Sequence, residues 1–324
     1  MKAVVYTKYG PPDVLQLKEI DKPVPSDNEV LIKVYATTVN RTDYATIRAI
    51  PFFARIITGL FKPNKQTPGT EFAGKIEGIG KNIASLEVGD KVFGFNDQGS
   101  ESQAQYMTIA EDKAITMPNN ITYEQAAASA EGAHYAYNFI KRVDLKDGEK
   151  VLVNGATGAI GSAAVQILKY FDVNVTATCN TKNIELVKSL GVDRVIDYTK
   201  VDFTQENQKY GFVFDTVGKS SFFKCKRLLQ PKGVYISSDL GYMSQNIFLP
   251  LITPIFRGKK TIFPTPTDIK GSLVLIKKLI EQGKFRAVID RTYPLEQIVE
   301  AYKYVGTGQK TGNVVITVEH DDKA

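Results

Sequence analysis

The sequence has few of the residues that build metal sites and disulfide frameworks. Its 324 residues include two cysteines, Cys179 and Cys225, two histidines, His134 and His320, and no tryptophan. Two cysteines cannot form a four-cysteine structural zinc site. The N-terminus, MKAVVYTKYG, also lacks the apolar region of a signal peptide. We therefore expect a cytosolic (cytoplasmic) protein with reduced thiols.

Long apolar runs and blocks of like charge are also missing. The longest apolar candidate, 247–256, contains two prolines and is shorter than the roughly 18 residues that predict a membrane span. Lys and Arg number 41 against 35 Asp and Glu, a net charge of +6 without any run of five like charges. Because nucleic-acid-binding proteins concentrate positive charge on one face, we expect neither a nucleic-acid partner nor a membrane span.

The length and the distribution of short apolar runs predict two domains. A chain of 324 residues exceeds one typical domain. Strand-like runs separated by turn clusters fill the first 120 residues and predict a β-rich domain, with no helix of any length before Thr122. These runs are 3–6, 29–39, 74–79, 91–95 and 106–110. At Thr122 the capping pattern with Gln125 predicts the start of a helix.

The segment 151–169, VLVNGATGAIGSAAVQILK, predicts a strand, a glycine turn and a helix. This is the context in which a dinucleotide fingerprint binds a pyrophosphate on a helix N-terminus. The pattern here is Ala156-x-Gly158-x-x-Gly161, and an ordinary strand-to-helix turn is the alternative. The predicted pyrophosphate contacts are Ala156, Thr157, Gly158, Ala159 and Ile160. Further strands and helices alternate up to residue 237 and predict an α/β fold with a doubly wound parallel sheet.

The end of the second predicted strand favours NADPH over NADH. An NAD site places a carboxylate about 20 residues beyond the glycines, whereas 178–183 reads TCNTKN. Lys182 can neutralise a 2′-phosphate while Asn180 and Thr181 donate hydrogen bonds. The alternative is that Thr181 only caps a helix and that Lys182 is solvated.

Several segments together resemble the zinc-free members of the medium-chain dehydrogenase/reductase superfamily, in its quinone oxidoreductase branch. They include KAVVYTKYGPPDVLQLKEI at the start, VLIKVYATTVNRTDYATIR, PGTEFAGKIEGIGKNIASLEVGDKVFG, LVKSLGVDRVIDYT, GFVFDTVG and KTGNVVITV. The resemblance implies a GroES-like, β-rich catalytic domain formed by 1–121 and 264–324. It also implies a Rossmann NADPH-binding domain formed by 122–263.

The resemblance and the donor count together argue against zinc. A catalytic zinc needs three protein ligands, but Asn40 occupies the family's ligand position and the GHE-type motif reads Gly69-Thr70-Glu71. The cysteines lie far along the chain, and each histidine is single. We therefore expect no metal site and a hydride reaction that requires no Lewis acid.

The family implies hydride transfer from NADPH to a quinone or to the C=C bond of an α,β-unsaturated carbonyl. Asn40, Asp43 and Tyr44 are the matching catalytic candidates. Asn40 could donate to a carbonyl oxygen or hold a water, and Tyr44 could bind or protonate the substrate oxygen. Alternatively, Asp43 and Arg48 form a buried structural ion pair, and Tyr44 only packs.

Other expectations follow from matching positions and from apolar segments. Further cofactor contacts expected from the family are Tyr198, Val217, Ser237 and Lys310, whereas the role of His134 is open. The apolar segments 50–61 and 247–263 could line a substrate pocket or a subunit interface, and the resemblance implies a homodimer. A non-catalytic NADPH-binding redox sensor, or an RNA-binding relative, is the alternative function.

Overall fold

A computed structural model describes residues 1–99, 101–256, 258–263 and 267–320, except for the side chains of Ile57, Met243 and Pro254. Residue 264, where the second part of the predicted catalytic domain begins, lies outside the described residues. So does Arg257, which ends the longest apolar run.

The described chain alternates between strands and short helices. The strands are β1 Lys2–Val5, β2 Gln16–Glu19, β3 Glu29–Val39, β4 Glu71–Ile79, β5 Lys91–Phe95, β6 Tyr106–Ala110, β7 Ala114–Thr116, β8 Lys150–Asn154, β9 Asn174–Cys179, β10 Arg194–Asp197, β11 Tyr210–Asp215, β12 Leu229–Ser237, β13 Lys260–Ile262, β14 Ile289–Pro294 and β15 Asn313–Thr317. The helices are α1 Arg41–Arg48, α2 Arg55–Thr58, α3 Tyr123–Ala127, α4 Glu131–Ile140, α5 Ala159–Tyr170, α6 Ile184–Ser189, α7 Phe222–Cys225, α8 Gln245–Ile252, α9 Ile269–Glu281 and α10 Ile298–Gly306.

The chain divides into two compact units. The first comprises Met1–Glu131 and the chain from Asp268 onward, and the second comprises Gly132–Thr267. The predicted boundaries at 121/122 and 263/264 remain a prediction of functional domains.

The first unit is built on a mostly antiparallel seven-stranded sheet. Its strand order is β14-β15-β3-β4-β5-β7, with β6 also paired to β3. Nine of the eleven residues of β3 are buried, because the core covers both of its faces. Ile32, Phe72 and Tyr302 contribute to that core from β3, β4 and α10.

Two details of the first unit concern the sequence predictions. The predicted helix start at Thr122 is confirmed, because Thr122 Oγ1 accepts a hydrogen bond from Gln125 N–H at 3.3 Å. The expectation of no helix before Thr122 is wrong, because α1 and α2 precede it. Helix α1 spans eight residues, and Ile47 is its one buried apolar side chain. Such a short helix has too little apolar periodicity to be recognised in the sequence.

The second unit has a six-stranded, fully parallel sheet, which confirms the predicted α/β fold with a doubly wound sheet. Its strand order is β10-β9-β8-β11-β12-β13. The order reverses between β8 and β11, and ligands of open α/β sheets bind at the carboxyl ends of strands at such a switch point. No described helix is long and apolar enough to cross a membrane.

Candidate functional site

The glycine turn connects β8 to α5 at the switch point. Gly158 is the N-cap of α5 and has extended backbone angles, φ −76° and ψ 170°. The first α-helical hydrogen bond of α5 runs from Ser162 N–H to Gly158 O at 2.9 Å. The N–H groups of the first turn, from Ala159 to Gly161, therefore lack intrahelical acceptors, as at every helix start. This geometry suits an anion at the N-terminus of α5.

The glycines of the turn have different surroundings. A Cβ on Gly158 would have Gly155 O as its nearest neighbour, at 3.8 Å, so the space in front of Gly158 is open. A Cβ on Gly161 would lie 2.1 Å from Gly155 O and 2.8 Å from Thr216 Oγ1. Gly161 thus permits close packing of α5 on the sheet, whereas Gly158 leaves room for a ligand.

A buried polar network fixes the turn to neighbouring strands. Asn154 Oδ1 accepts a hydrogen bond from Thr178 Oγ1 at 2.7 Å, and Asn154 Nδ2 donates to Asp215 Oδ1 at 3.0 Å. Thr178 Oγ1 also accepts from Gly155 N–H at 3.0 Å. The ends of β8, β9 and β11 are therefore tied together beneath the glycine turn, which makes the turn rigid.

The loop after β9 carries the predicted 2′-phosphate contacts. Asn180 and Thr181 lead into a short turn, and the side chain of Lys182 is exposed. Thr181 Oγ1, however, donates to Asp197 Oδ2 at 2.6 Å. The sequence places no carboxylate in this loop, but the neighbouring strand β10 brings Asp197 to it. Hydrogen bonds from Thr181 and Thr199 lower the pKa of Asp197, so this side chain is anionic.

The other predicted cofactor residues of this unit follow carboxyl ends of strands. Tyr198 follows β10, is 51% exposed, and donates its backbone N–H to Cys179 O at 3.0 Å. The side chain of Val217 packs against Gly155, where a Cβ would lie 2.4 Å from Val217 Cγ1. Ser237 ends β12, is buried, and its Oγ accepts from Asp239 N–H at 3.2 Å. All three thus follow or end strands at the same edge of the sheet as the glycine turn.

His134 lies on α4 and is buried. Asn138 Nδ2 lies 3.3 Å from its Nδ1 and donates to the His134 carbonyl oxygen at 2.9 Å. These contacts tie the side chain and the carbonyl group of His134 to Asn138, one turn further along α4.

In the first unit, Asn40 lies within a buried cluster of carboxyl groups. Its Nδ2 donates to Glu71 Oε2 at 2.5 Å and to Glu131 Oε2 at 2.9 Å, and it lies 3.2 Å from Thr38 Oγ1. Glu131 N–H also donates to Glu71 Oε1. Asn40 Oδ1 is buried and makes no hydrogen bond among the residues that the structure describes. The amide nitrogen of Asn40 is thus engaged in hydrogen bonds, whereas its amide oxygen is available to accept one.

Burial changes the protonation of this cluster. It raises the pKa of Glu71 to about 8, and the charge of Glu131 adds to that effect. Burial likewise raises the pKa of Glu131, although hydrogen bonds from Thr42 and Thr70 oppose the shift. Desolvated carboxyl groups that share donors cannot all ionise, so the cluster holds at least one proton near neutral pH.

Asp43 acts on the backbone of Asn40. Its Oδ2 accepts from Asn40 N–H at 2.7 Å at the start of α1. The side chain is 2% exposed, and burial, followed by the charge of Glu131, raises its pKa well above the usual range. This contact makes Asp43 a positioning residue for Asn40.

The alternative ion pair between Asp43 and Arg48 is not formed. Arg48 Nη1 instead donates to Tyr44 OH at 2.7 Å. The Tyr44 ring packs on Gly306, where a Cβ would lie 2.7 Å from Tyr44 Cε2. Both interpretations of Tyr44 remain compatible with these contacts, because the phenol hydrogen can still be donated.

Lys310 belongs to the first unit, near the carboxyl cluster and apart in sequence from the other predicted cofactor residues. Burial lowers its pKa to about 8, against the opposing charges of Glu131, Glu71 and Asp290. Its Nζ donates to Gly312 O. The lysine thus supplies a cation toward the carboxyl cluster, which the sequence did not suggest.

Sequence reasoning did not identify Glu131 as part of the site. A signal was present, because Glu131 is the only charged residue in 126–136, AAASAEGAHYA. A single charge in such an apolar and small-residue context is buried only when it has partners. The partners are more than 60 residues distant for Thr70 and Thr42, so the sequence could not name them.

Comparisons with known proteins place these features in a family. Residues 26–129 match the alcohol dehydrogenase GroES-like domain, and residues 190–316 match the family described as zinc-binding dehydrogenase. The chain is 31% identical to a 2-methylene-furan-3-one reductase of Solanum lycopersicum, covering 98% of this chain and 79% of that protein. It is 30% identical to a chloroplastic NADPH-dependent alkenal/one oxidoreductase of Arabidopsis thaliana, with the same coverage.

A solved structure agrees over nearly the whole chain. The quinone oxidoreductase from Coxiella burnetii superposes with a TM-score of 0.87 at 26% sequence identity. The match covers 98% of this chain and 99% of that one. The predicted pairing of a GroES-like, β-rich domain with a Rossmann domain is thereby confirmed.

Proposed function

This chain belongs to the medium-chain dehydrogenase/reductase superfamily, and we propose that it is a zinc-independent, NADPH-dependent reductase of quinones or of the C=C bond of α,β-unsaturated carbonyls. The observation that carries the proposal is the rigid glycine turn, with open space at Gly158 and an exposed lysine, Lys182, after the next strand. The names of the tomato, Arabidopsis and Coxiella relatives support the oxidoreductase class.

The chain's own residues fit a dinucleotide. The turn from Ala156 to Ile160 would hold the pyrophosphate, because its glycine leaves room and the helix start offers N–H donors. Lys182, with Asn180 and Thr181, would bind a 2′-phosphate. Further proposed contacts are Tyr198, Val217, Ser237 and Lys310. When bound, NADPH supplies the hydride.

Reduction of a quinone or an enone also requires a proton at an oxygen or carbon atom of the substrate. Asn40 Oδ1 is the open acceptor of the carboxyl cluster and would hold a water that donates to the substrate oxygen. Donation from Asn40 Nδ2 to a carbonyl would require the amide to leave Glu71 and Glu131. The raised pKa of Glu71, about 8, keeps a proton stored beside Asn40, and the Tyr44 phenol is the other candidate donor.

The donor set supports the proposed independence from zinc. Burial raises the pKa of both Cys179 and Cys225 to about 11, so both are thiols at neutral pH. Asn40, at the family's ligand position, is held by two carboxyl groups. Within the described ranges, no group of three or more His, Cys, Asp or Glu is placed to hold a metal.

We also propose a homodimer. Among the described residues, strand β13 pairs only with β12, so that β13 forms an open edge of the parallel sheet. Nearby in sequence, α8 exposes Phe248 and Leu251, at 62% and 82%. An open edge next to exposed apolar side chains favours association with another chain.

The test is a substrate screen in which NADPH absorbance is followed with quinones, alkenals and cyclic enones. We expect NADPH oxidation with at least one class and much slower oxidation of NADH. Tight NADPH binding without turnover on any compound would instead favour the non-catalytic NADPH-binding alternative.

A further inference from the structure

An unusual surface follows α1 in the first unit. Five apolar side chains within ten residues are exposed, namely Phe52 72%, Phe53 54%, Ile56 80%, Leu60 56% and Phe61 90%. The segment 44–70 also contains four basic residues, Arg48, Arg55, Lys62 and Lys65, and no Asp or Glu. We call these nine residues the apolar-basic surface.

The backbone beneath the apolar-basic surface is fixed by specific contacts. Tyr9 OH donates to Gly59 O at 2.9 Å and lies 2.8 Å from Thr58 Oγ1. The Arg55 guanidinium lies 4.8 Å from the ring centres of both Tyr9 and Phe52. The exposed apolar side chains are thus displayed by an anchored segment.

We propose that the apolar-basic surface docks the protein on an anionic lipid surface. Aromatic and aliphatic side chains that enter the boundary of the acyl chains, flanked by Lys and Arg that meet anionic headgroups, are the two components of interfacial binding. Both are present here within one short segment. This inference goes beyond the proposed reductase activity and does not depend on it.

The charge of the apolar-basic surface favours an anionic lipid surface over a second copy of the chain as its partner. A symmetric dimer through the apolar-basic surface would bring four basic residues against four others. Glu101 lies 3.8 Å from Lys65 and offsets only part of that charge, so self-association here would be repulsive. An anionic lipid surface, in contrast, complements the basic residues and covers the apolar ones.

The second unit provides a matched control surface. Around α8, Leu251 and Ile255 are 82% and 78% exposed, but the sequence has no charged residue from 240 to 256. In a single chain this control surface has comparable apolar exposure without the basic residues, and in the proposed homodimer a second copy would cover it. The lipid proposal therefore predicts different behaviour for the two surfaces.

The chain contains no tryptophan, so one engineered tryptophan reports on its own surroundings. We would compare Phe61→Trp and Leu251→Trp with vesicles of phosphatidylcholine alone and of phosphatidylcholine mixed with phosphatidylserine. We expect a blue shift of emission for Phe61→Trp with the mixed vesicles only, reversed by high salt because screening weakens the attraction. Leu251→Trp should show no shift.

Cosedimentation with the same vesicles tests the two components separately. Lys62→Ser should weaken binding to mixed vesicles about fivefold, the equivalent of one juxtamembrane charge. Phe61→Ser should weaken it about tenfold, because one large apolar contact is lost. Leu251→Ser should leave binding unchanged.

Three outcomes would overturn the proposal. One is the absence of any vesicle-dependent shift for Phe61→Trp, and another is an equal shift with neutral and mixed vesicles. The third is a shift without vesicles that grows with protein concentration, because a second copy would then cover the surface. All measurements use the whole chain without a substrate, so their failure would leave the reductase proposal standing.

Discussion

Asn40 Nδ2 lies 2.5 Å from Glu71 Oε2, inside the core of the first unit. One amide thus supplies donors to two buried carboxyl groups, Glu71 and Glu131, while its own oxygen stays without a partner among the described residues. Removing a donor from buried acceptors is costly, because their desolvation is no longer compensated. This relationship makes Asn40 central to the stability of the first unit and to the proposed proton supply.

Asn40→Asp should destabilise the protein at neutral pH. The substitution replaces a donor with a third carboxyl group against two others, and an uncompensated buried charge costs about 3–5 kcal/mol. The loss should diminish toward acidic pH, where the added carboxyl group is protonated. Urea unfolding at several pH values measures the effect. Thr42→Val, which removes one donor to Glu131 without adding a carboxyl group, is the comparison and should cost about 1–3 kcal/mol. Equal stability of Asn40→Asp and wild type at pH 7 would argue against the cluster.

Glu71 should make the protein less stable as the pH rises. Because the folded-state pKa is raised from 4.5 to about 8, the folded state binds more protons than the unfolded state between these values. This contribution is complete below pH 4.5 and is lost as the pH rises through 8. Glu71→Gln should flatten that part of the profile of unfolding free energy against pH. Glu77→Gln, on the same strand but paired with Lys22, should leave the slope as in wild type.

Gly158→Val should abolish binding of NADPH while the protein still folds. The structure leaves open space at this Cβ, so the added side chain would occupy only the volume proposed for the pyrophosphate. Fluorescence titration with NADPH, together with circular dichroism, checks both parts. Gly161→Val is the contrast and should impair folding itself, because its Cβ would meet Gly155 O. Retained NADPH affinity in Gly158→Val would show that the turn does not bind phosphate.

Lys182→Ala should weaken binding of NADPH by about ten- to a hundredfold, since a charge-assisted contact contributes roughly 1.5–3 kcal/mol. NADH lacks the 2′-phosphate and should bind almost unchanged. The measurement is the ratio of kcat/KM for NADPH to that for NADH at low and at high salt. High salt should reduce the difference between mutant and wild type, because screening weakens the contact with the phosphate. Lys188→Ala, an exposed lysine paired with Glu185, is the control. Equal losses for both cofactors would assign Lys182 to loop stability.

Asp197→Asn should raise the ratio of kcat/KM for NADPH to that for NADH, the opposite of the effect of Lys182→Ala. The substitution removes a negative charge beside Thr181, whose hydroxyl now donates to Asp197. Affinity for NADPH should therefore increase by a few fold, while affinity for NADH stays the same. Unchanged affinity for both cofactors would show that the Asp197 carboxylate does not act on the proposed phosphate site.

The purified protein should contain no stoichiometric zinc, and chelators should leave its activity unchanged. Both cysteines are buried thiols in the second unit, and the position of the family's zinc ligand is Asn40. Elemental analysis and activity after incubation with a chelator provide the measurement. About one zinc per chain, with activity lost on its removal, would refute the expectation.

Features that depend on local sequence pattern could be predicted without the structure. Apolar β-branched runs around the glycines sufficed to predict the strand β8, the turn and the helix α5, because hydrophobic period and turn chemistry act over neighbouring residues. The family followed from several such segments in a fixed order. The spacing also placed Lys182 after the second strand of the parallel sheet.

Which distant residues meet depends on how the strands and helices pair and pack in the folded chain. Asp197 reaches Thr181 because β10 pairs with β9 in parallel, a pairing that loop sequence cannot specify. Glu131 meets Asn40 across 91 residues, and burial of that cluster, rather than residue type, raises the pKa of its carboxyl groups. Sequence separation hides such contacts, since desolvation and charge act through space after the chain has folded.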